Sequence, residues 1–512
     1  MNDWTHGYVS DIEYLPGFYV EQTPAHLDVA CLLRGIEPPV EEGAPFAYCE
    51  LGCGVGETAL TIAAANPQAD VWGFDFNPAH IARGRSLAAA GFVGNIRLEE
   101  ASFEDLAHGR QPGLPMFDYI TLHGVWSWVS AENRRHIVDF AARHLKPGGL
   151  LYVTYNALPR WTASMPMQRL VSLAAAHDSE RSDRRVLRAL DMARAFSEAG
   201  ADLIPAEMLD RLDKERAEGT AYLSHEYLNA HWSPCYQIDV AQDLAAAKLS
   251  FVAAANLFEN YPDLCTTDAQ RRLIEGFPAA HAETARDFFL ARSFRRDIYM
   301  RGPRPIAARR LEKRLAARRL ALVVPPSAIK LSVKVPVGEA TLNESFYGPA
   351  LAALAEGPMT IGALRSLPEA DGSSATEREV LGMLIGSRQA MALPNAVTEE
   401  SVAAVRRYNR AHLRICSDEG RAVCALAAAG IGSGITVRLF EMLAYEVLLD
   451  GVEAEAGAVT AAIHALLAAR GDRLRNEGVP IEDEGEALRV IRENVDLILT
   501  VALPMWRRIG AI

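Results

Sequence analysis

Glu50-Leu51-Gly52-Cys53-Gly54-Val55-Gly56-Glu57-Thr58 is the stretch that decides the fold. A short apolar run, residues 47–50, leads into it, and residues 57–65 behind it have helical character, so three glycines fall in a strand-to-helix turn. Glycines there let the backbone pass close to a ligand and take turns that a side chain forbids. About twenty residues further on, a second apolar run ends at Asp75, where a carboxylate can accept both hydroxyls of an adenosine ribose. The alternation then repeats. Strands are predicted at 47–50, 71–74, 96–99, 119–122 and 150–155, with helices between them, notably 57–65 and 131–144. Parallel strands need crossover helices and are buried on both faces, so the pattern predicts a Rossmann-like α/β domain.

Outward from this core the character changes. Residues 160–226 carry Ala, Arg, Leu, Asp and Glu at helical spacing and read as a helical insertion, about 160–232, after which the sheet resumes. A helix at 239–248 and strands at 249–254 and 294–300 complete the domain, taken as 1–303. Residues 304–330 read as a linker opened by a charged helix. Its Arg309, Arg310, Lys313, Arg314, Arg318 and Arg319 are read as a solvated face in preference to an anion contact. Residues 331–400 combine a strand at 330–335 with helices at 347–355, 361–367 and 377–387, a winged-helix-like segment. The remainder, 401–512, is almost wholly helical in pattern, with stops at Gly430, Gly432, Gly434 and Pro504.

Composition narrows the function classes. A chain of 512 residues, half of them hydrophobic, can bury more than one core. It shows neither a basic leader nor an apolar run long enough to cross a bilayer, so the expectation is a cytoplasmic protein without membrane attachment. The formal charge of -13 opposes a phosphate backbone, and nucleic acid is not an expected partner. Cys31, Cys49, Cys53, Cys235, Cys265, Cys416 and Cys424 are scattered, without paired metal-ligand spacing; reduced thiols and no structural metal are expected.

Glycine spacing separates two nucleotide chemistries. A dinucleotide fingerprint reads G-x-G-x-x-G, whereas here the glycines are Gly52, Gly54 and Gly56, and the acid Glu50 precedes them. A pyrophosphate disfavours that acid. S-adenosylmethionine (SAM) brings a sulfonium and an ammonium, for which a nearby negative charge is favourable. The sequence resembles the class I SAM-dependent methyltransferases. Asp75-Phe76-Asn77-Pro78 looks like their ribose site, Ala101-Ser102-Phe103 falls where they place adenine contacts, Phe117-Asp118-Tyr119-Ile120 looks like the fourth strand, and Leu145-Lys146-Pro147-Gly148-Gly149 like the turn before the fifth. Family members often have Asp where Ser102 stands here. More narrowly, the runs His123-Gly124-Val125-Trp126-Ser127-Trp128-Val129, His225-Glu226-Tyr227-Leu228-Asn229 and Lys248-Leu249-Ser250-Phe251-Val252 resemble bacterial methyltransferases with a regulatory domain, a group that includes rickettsial protein-lysine methyltransferases.

The resemblance implies SAM as cofactor, held by Glu50, Gly52, Gly54, Gly56, Asp75, Phe76, Ser102 and Phe103. His123, after the fourth strand, is a candidate to orient or deprotonate an acceptor; Tyr155 and Asn156, at the end of the fifth, are comparable candidates. Trp126 and Trp128 are candidate walls of an acceptor channel, and Tyr8, Tyr14, Phe18 and Tyr19 a candidate aromatic lid. The expected acceptor is a protein lysine. Methylation of a small metabolite, and a SAM-binding or DNA-binding regulator, are the alternatives. The insertion and C-terminal helices are candidate surfaces for a homodimer.

Overall fold

Strand β1 (Ala47–Leu51) is buried at every position, as expected of a strand with helices over both faces. It pairs in parallel with β2 (Asp70–Asp75) on one side and β4 (Phe117–Leu122) on the other. With β3 (Ile96–Glu100), β5 (Leu145–Asn156), β6 (Leu249–Ala254) and β7 (Phe294–Arg301), they form one seven-stranded sheet in the order β3-β2-β1-β4-β5-β7-β6. Only β7 runs against its neighbours. The computed structural model describes residues 5, 7–9, 11–12, 17–176, 178, 180–204, 208–210, 212, 216, 219–476 and 479–512. The Rossmann-like α/β architecture is therefore present, with 145–149 drawn into β5 where its pairing with β4 is irregular between Phe117 and Tyr119.

Alternation along the strands divides the core. One face, with Tyr48, Val71, Tyr119, Tyr152 and Ile298, packs on helix α1 (Pro24–Leu33). The other, with Cys49, Leu51, Ile120, Leu122, Val153 and Tyr155, lies in one cluster with residues of α5 (Ala131–His144) and α9 (Gln237–Ala245). Between these helices run α2 (Glu57–Ala65), α3 (Pro78–Ala90) and α4 (Phe103–Ala107), and the insertion contributes α6 (Met165–Ala175), α7 (Ser182–Glu198) and α8 (Thr220–Tyr227) around a small core of its own.

Two stretches differ from expectation. Residues 304–330 form the helix Ala308–Ala317 and the strand Arg319–Leu322, which is the central strand of a three-stranded sheet with Met359–Thr360 and Ala390–Ala392. Leu311, Leu315, Leu320 and Leu322 are buried in the same core as α1. Arg309, Lys313 and Arg319 are exposed, as expected of a solvated face, but Arg310 and Arg314 pair with Glu37 and Glu41, and Arg318 with Glu42. The C-terminal region is likewise not purely helical. After the helix Glu399–Asp418, strands Val423–Ala428 and Ser433–Arg438 form an antiparallel hairpin.

That hairpin sits on α2, every residue of which is buried. Tyr408 and Thr61 hydroxyls lie 3.0 Å apart, and Asn66 donates to the Gly432 carbonyl at 2.9 Å. A Cβ at Gly434 would stand 2.7 Å from the Thr61 methyl, so this glycine is what permits so close an approach. No helix among the described residues is long and apolar enough to cross a membrane.

Candidate active site

Open α/β sheets bind ligands beyond the carboxyl ends of their strands, at the point where strand order reverses. Here that point lies between β1 and β4. A cavity of about 450 Å³ opens there, a size suited to a cofactor and a side chain.

The register of β1 on β2 sets Leu51 beside Phe74, and the Phe74 carbonyl then accepts from Gly52 N–H at 2.8 Å and Cys53 N–H at 3.0 Å. This hooks the glycine turn over the end of β2. Asp75, the next residue, accepts from Gly54 N–H and from Asn77 N–H, both at 2.9 Å, and its buried carboxylate faces the cavity. Gly54 has a φ of +57°, and a Cβ built there would meet no protein atom within 4 Å; the space it would take belongs to the cavity. Glu50 accepts from Gln22 Nε2 and from Ala59 N–H, each at 3.0 Å. Burial, with the nearby Asp75 charge, pushes its carboxyl up to about 8.

Glu50, Glu57, Asp75 and Glu226 all line the cavity, and among the described residues no lysine or arginine does. Glu57 is answered from outside the cavity by Arg421, but Glu50 is buried without an arginine or lysine partner, which is costly, and a ligand carrying positive charge relieves that cost. Donor set, glycine cradle and charge therefore fit SAM, whose ammonium and sulfonium meet acids and whose ribose meets Asp75.

Gly52, Phe76 and Phe103 also line the cavity. Two expected cofactor contacts do not. Gly56 caps the start of α2 with its missing side chain facing Leu98, and Ser102 caps α4, its hydroxyl accepting from Asp105 N–H and donating to the Asp105 carboxylate. Of the acceptor candidates, His123 and Asn156 reach the cavity and Tyr155 does not. Side chains alternate along β5, so Tyr155 points into the opposite core, where its O–H donates to Asp297 at 2.6 Å. Trp128 lines the cavity, while Trp126 is fully buried behind it.

His123 stacks on Tyr19 with ring centres 3.8 Å apart, and its Nδ1 lies 3.1 Å from the Tyr152 hydroxyl. Burial first, and then the Arg296 guanidinium, lower its pKa to about 3. The ring is neutral near pH 7, so it can accept a hydrogen bond and orient a donor but is a poor store for a proton. Stability carries the same signature. An unfolded histidine protonates near pH 6.5 and the folded ring only near 3, so stability is full above 6.5 and falls as pH drops between those values, by about 1.4 kcal/mol per unit. His123→Gln is expected to remove about one proton from the acid dependence of unfolding between roughly pH 4 and 6, read from urea midpoints; an unchanged slope would show that the ring takes up protons in the folded state.

The N-terminal segment closes one side. Ala230 N–H donates to the Gly7 carbonyl at 2.8 Å, Val9 N–H to Asn229 Oδ1 at 2.8 Å, and His225 Nε2 lies 3.0 Å from the Ile12 carbonyl. The run His225 to Asn229 thus straps Tyr8 over the cavity, against Phe76 and His225. Tyr19 joins Tyr8 there; Phe18 instead lies against Gly434, and Tyr14 lies outside the described residues. Gln22, Trp161, Tyr222 and the pair Ser293-Phe294 also line the cavity and carry no local sequence signal, because they come from four separate stretches of chain. Tyr222, 41% exposed, marks a mouth at the insertion.

Comparisons with known proteins agree with this arrangement. The chain matches the family described as a methyltransferase domain over residues 49–151, and that described as a predicted methyltransferase regulatory domain over 219–301. An uncharacterized protein of Synechocystis sp. is 33% identical over 519 residues, 99% of each chain. Trans-aconitate 2-methyltransferase of Deinococcus radiodurans is 31% identical over 24% of this chain and 43% of its own. Among solved structures, PKMT2 from Rickettsia typhi in complex with AdoHcy shares the fold over 97% of this chain and 99% of that one, with a TM-score of 0.70 at 19% identity.

Proposed function

We propose that this chain, which belongs to the class I SAM-dependent methyltransferases with a regulatory domain, methylates the side-chain amine of lysine in protein substrates. SAM is its cofactor and supplies an electrophilic methyl group on a sulfonium. The observation that carries the acceptor assignment is the lining: four carboxylates, no lysine or arginine among the described residues, and the aromatic rings of Trp128, Trp161, Tyr222 and Phe294. Aromatic faces attract an ammonium and pack along an alkyl stem. A tricarboxylate such as trans-aconitate would find no cation to meet it. The motif resemblance to rickettsial protein-lysine methyltransferases, and the fold shared with Rickettsia typhi PKMT2, support the same reading.

In this reading Asp75 accepts from the ribose hydroxyls, Glu50 answers the positive charge of the cofactor, and Gly52 and Gly54 let the backbone lie close. Phe103 packs against the base and Phe76 beside the ribose. His123 and the Asn156 amide oxygen, both at the inner end, accept hydrogen bonds from the entering amine and hold its lone pair in line. A lysine amine has a reference pKa of about 10.4, so it must shed a proton before it reacts. Desolvation between the aromatic walls lowers that value and lets the proton leave to water at the mouth.

The test is incubation of the purified protein with methyl-labelled SAM and bacterial lysate, split into protein and small-molecule fractions, with trans-aconitate and free lysine as added acceptors. Label is expected on protein, in mono- or further methylated lysine by mass spectrometry of digests. Label confined to small molecules would overturn the assignment.

A further inference from the structure

Outside the cavity, three side chains of the C-terminal region converge. His412 and Cys416 stand one turn apart on the helix Glu399–Asp418, and Cys424 lies on the neighbouring strand Val423–Ala428. All three are buried, and their donor atoms lie within 4.8 Å of one another. The fold built this convergence from a helix face and a strand across a four-residue connection, 419–422, which is why the cysteine spacing alone does not reveal it.

The surroundings are those of a metal centre. His412 Nδ1 lies 3.0 Å from the Ala425 carbonyl, which only accepts, so Nδ1 carries a proton and Nε2 is the nitrogen left to ligate a metal; this backbone contact is the usual way a ligating imidazole is oriented. Nε2 is buried and lies 3.3 Å from Glu57 Oε1 without hydrogen-bond geometry. Charge also balances. Two thiolates and the Glu57 carboxylate carry three negative charges, answered by a dipositive ion and by the Arg421 guanidinium, 3.0 Å from Glu57 Oε2. Soft sulfur donors with an imidazole select zinc over magnesium or calcium.

We infer that His412, Cys416 and Cys424 form a zinc site, with Glu57 beside it, where the C-terminal region meets the helix following the glycine loop. Binding replaces two thiol protons, which leave to solvent, by two zinc–sulfur bonds. Glu57, the first residue of α2 and a lining residue of the cofactor cavity, lies 3.3 Å from His412 Nε2, so the site stands beside the helix end on which that loop rests.

The experiment uses the reduced full-length protein, stripped with chelator and checked for fold by SAM titration, then titrated with Co²⁺ alone. One equivalent is expected to produce intense thiolate-to-cobalt absorption and the visible bands of tetrahedral cobalt, both abolished by one equivalent of Zn²⁺. Protein purified without chelator is expected to contain about one zinc per chain by elemental analysis. Cys424→Ser and His412→Ala should each weaken Co²⁺ binding by about 100-fold or more. Absence of thiolate-to-cobalt absorption in the SAM-binding wild type would overturn the site. So would finding Cys416 and Cys424 joined as a disulfide in freshly purified, zinc-free protein; both results are read on the wild type and need no variant to fold.

Discussion

Replacing Asp75 by alanine is expected to raise the SAM dissociation constant by at least about 100-fold. Hydrogen bonds to a charged group contribute about 1.5–3 kcal/mol each, and the ribose would lose two. The loop loses as well, since the same carboxylate accepts the Gly54 and Asn77 N–H groups that shape the cradle. Asp75→Asn keeps one acceptor oxygen and should fall between wild type and alanine. Isothermal titration with SAM measures all three, with NADH as the control for a dinucleotide site. A change of less than about threefold for alanine would remove Asp75 from the binding site.

The largest effect on stability is expected at Arg295. Its side chain is fully buried and donates from Nη1 to both oxygens of Asp287, at 2.7 and 2.8 Å, and from Nε to Asp297 at 2.9 Å, with Glu283 at 3.2 Å from Nη2. Asp297 also holds Tyr155. Burial pushes Asp287 up to about 6 even with the guanidinium present, which shows how dry the site is. Arg295→Met leaves buried carboxylates with only part of their cationic partners, and removing one side of such a pair costs about 3–5 kcal/mol. Urea unfolding followed by tryptophan fluorescence should show that loss, and Arg295→Met combined with Asp287→Asn should recover a measurable part of it. A loss below about 1 kcal/mol for the single variant would mean that water already reaches the network.

The strand-loop-helix around Gly52 to Gly56 and the acid at Asp75 were legible because their signal is local: residue types at fixed offsets along one stretch of chain. The sheet order followed, since alternating apolar runs leave few arrangements. What the sequence hid depended on partners far away in the chain. Arg310, Arg314 and Arg318 look solvated until the fold brings Glu37, Glu41 and Glu42 against them. Val423 to Ala428 reads as helix because alanine favours helix, yet it forms a strand, since its cross-strand partners and the helix Glu399–Asp418 bury it. Tyr155 and Asn156 look equivalent by position, and only the two-residue period of β5 separates them. Ser102 was drawn toward a ligand by family analogy, whereas locally Ser102-x-x-Asp105 is a helix cap.

The covering of α2 by the C-terminal hairpin also bears on how the protein is made. Thr61 waits for Tyr408, 347 residues later, and at about 5–20 residues per second the ribosome needs roughly 20–70 s to deliver it. Through that interval Leu60 and Ala64, which end in one core with Val405, Tyr408 and Ala427, face whatever surrounds the nascent chain. The cofactor half is thus translated first but finished last, so biosynthesis itself couples the C-terminal region to the appearance of a competent enzyme.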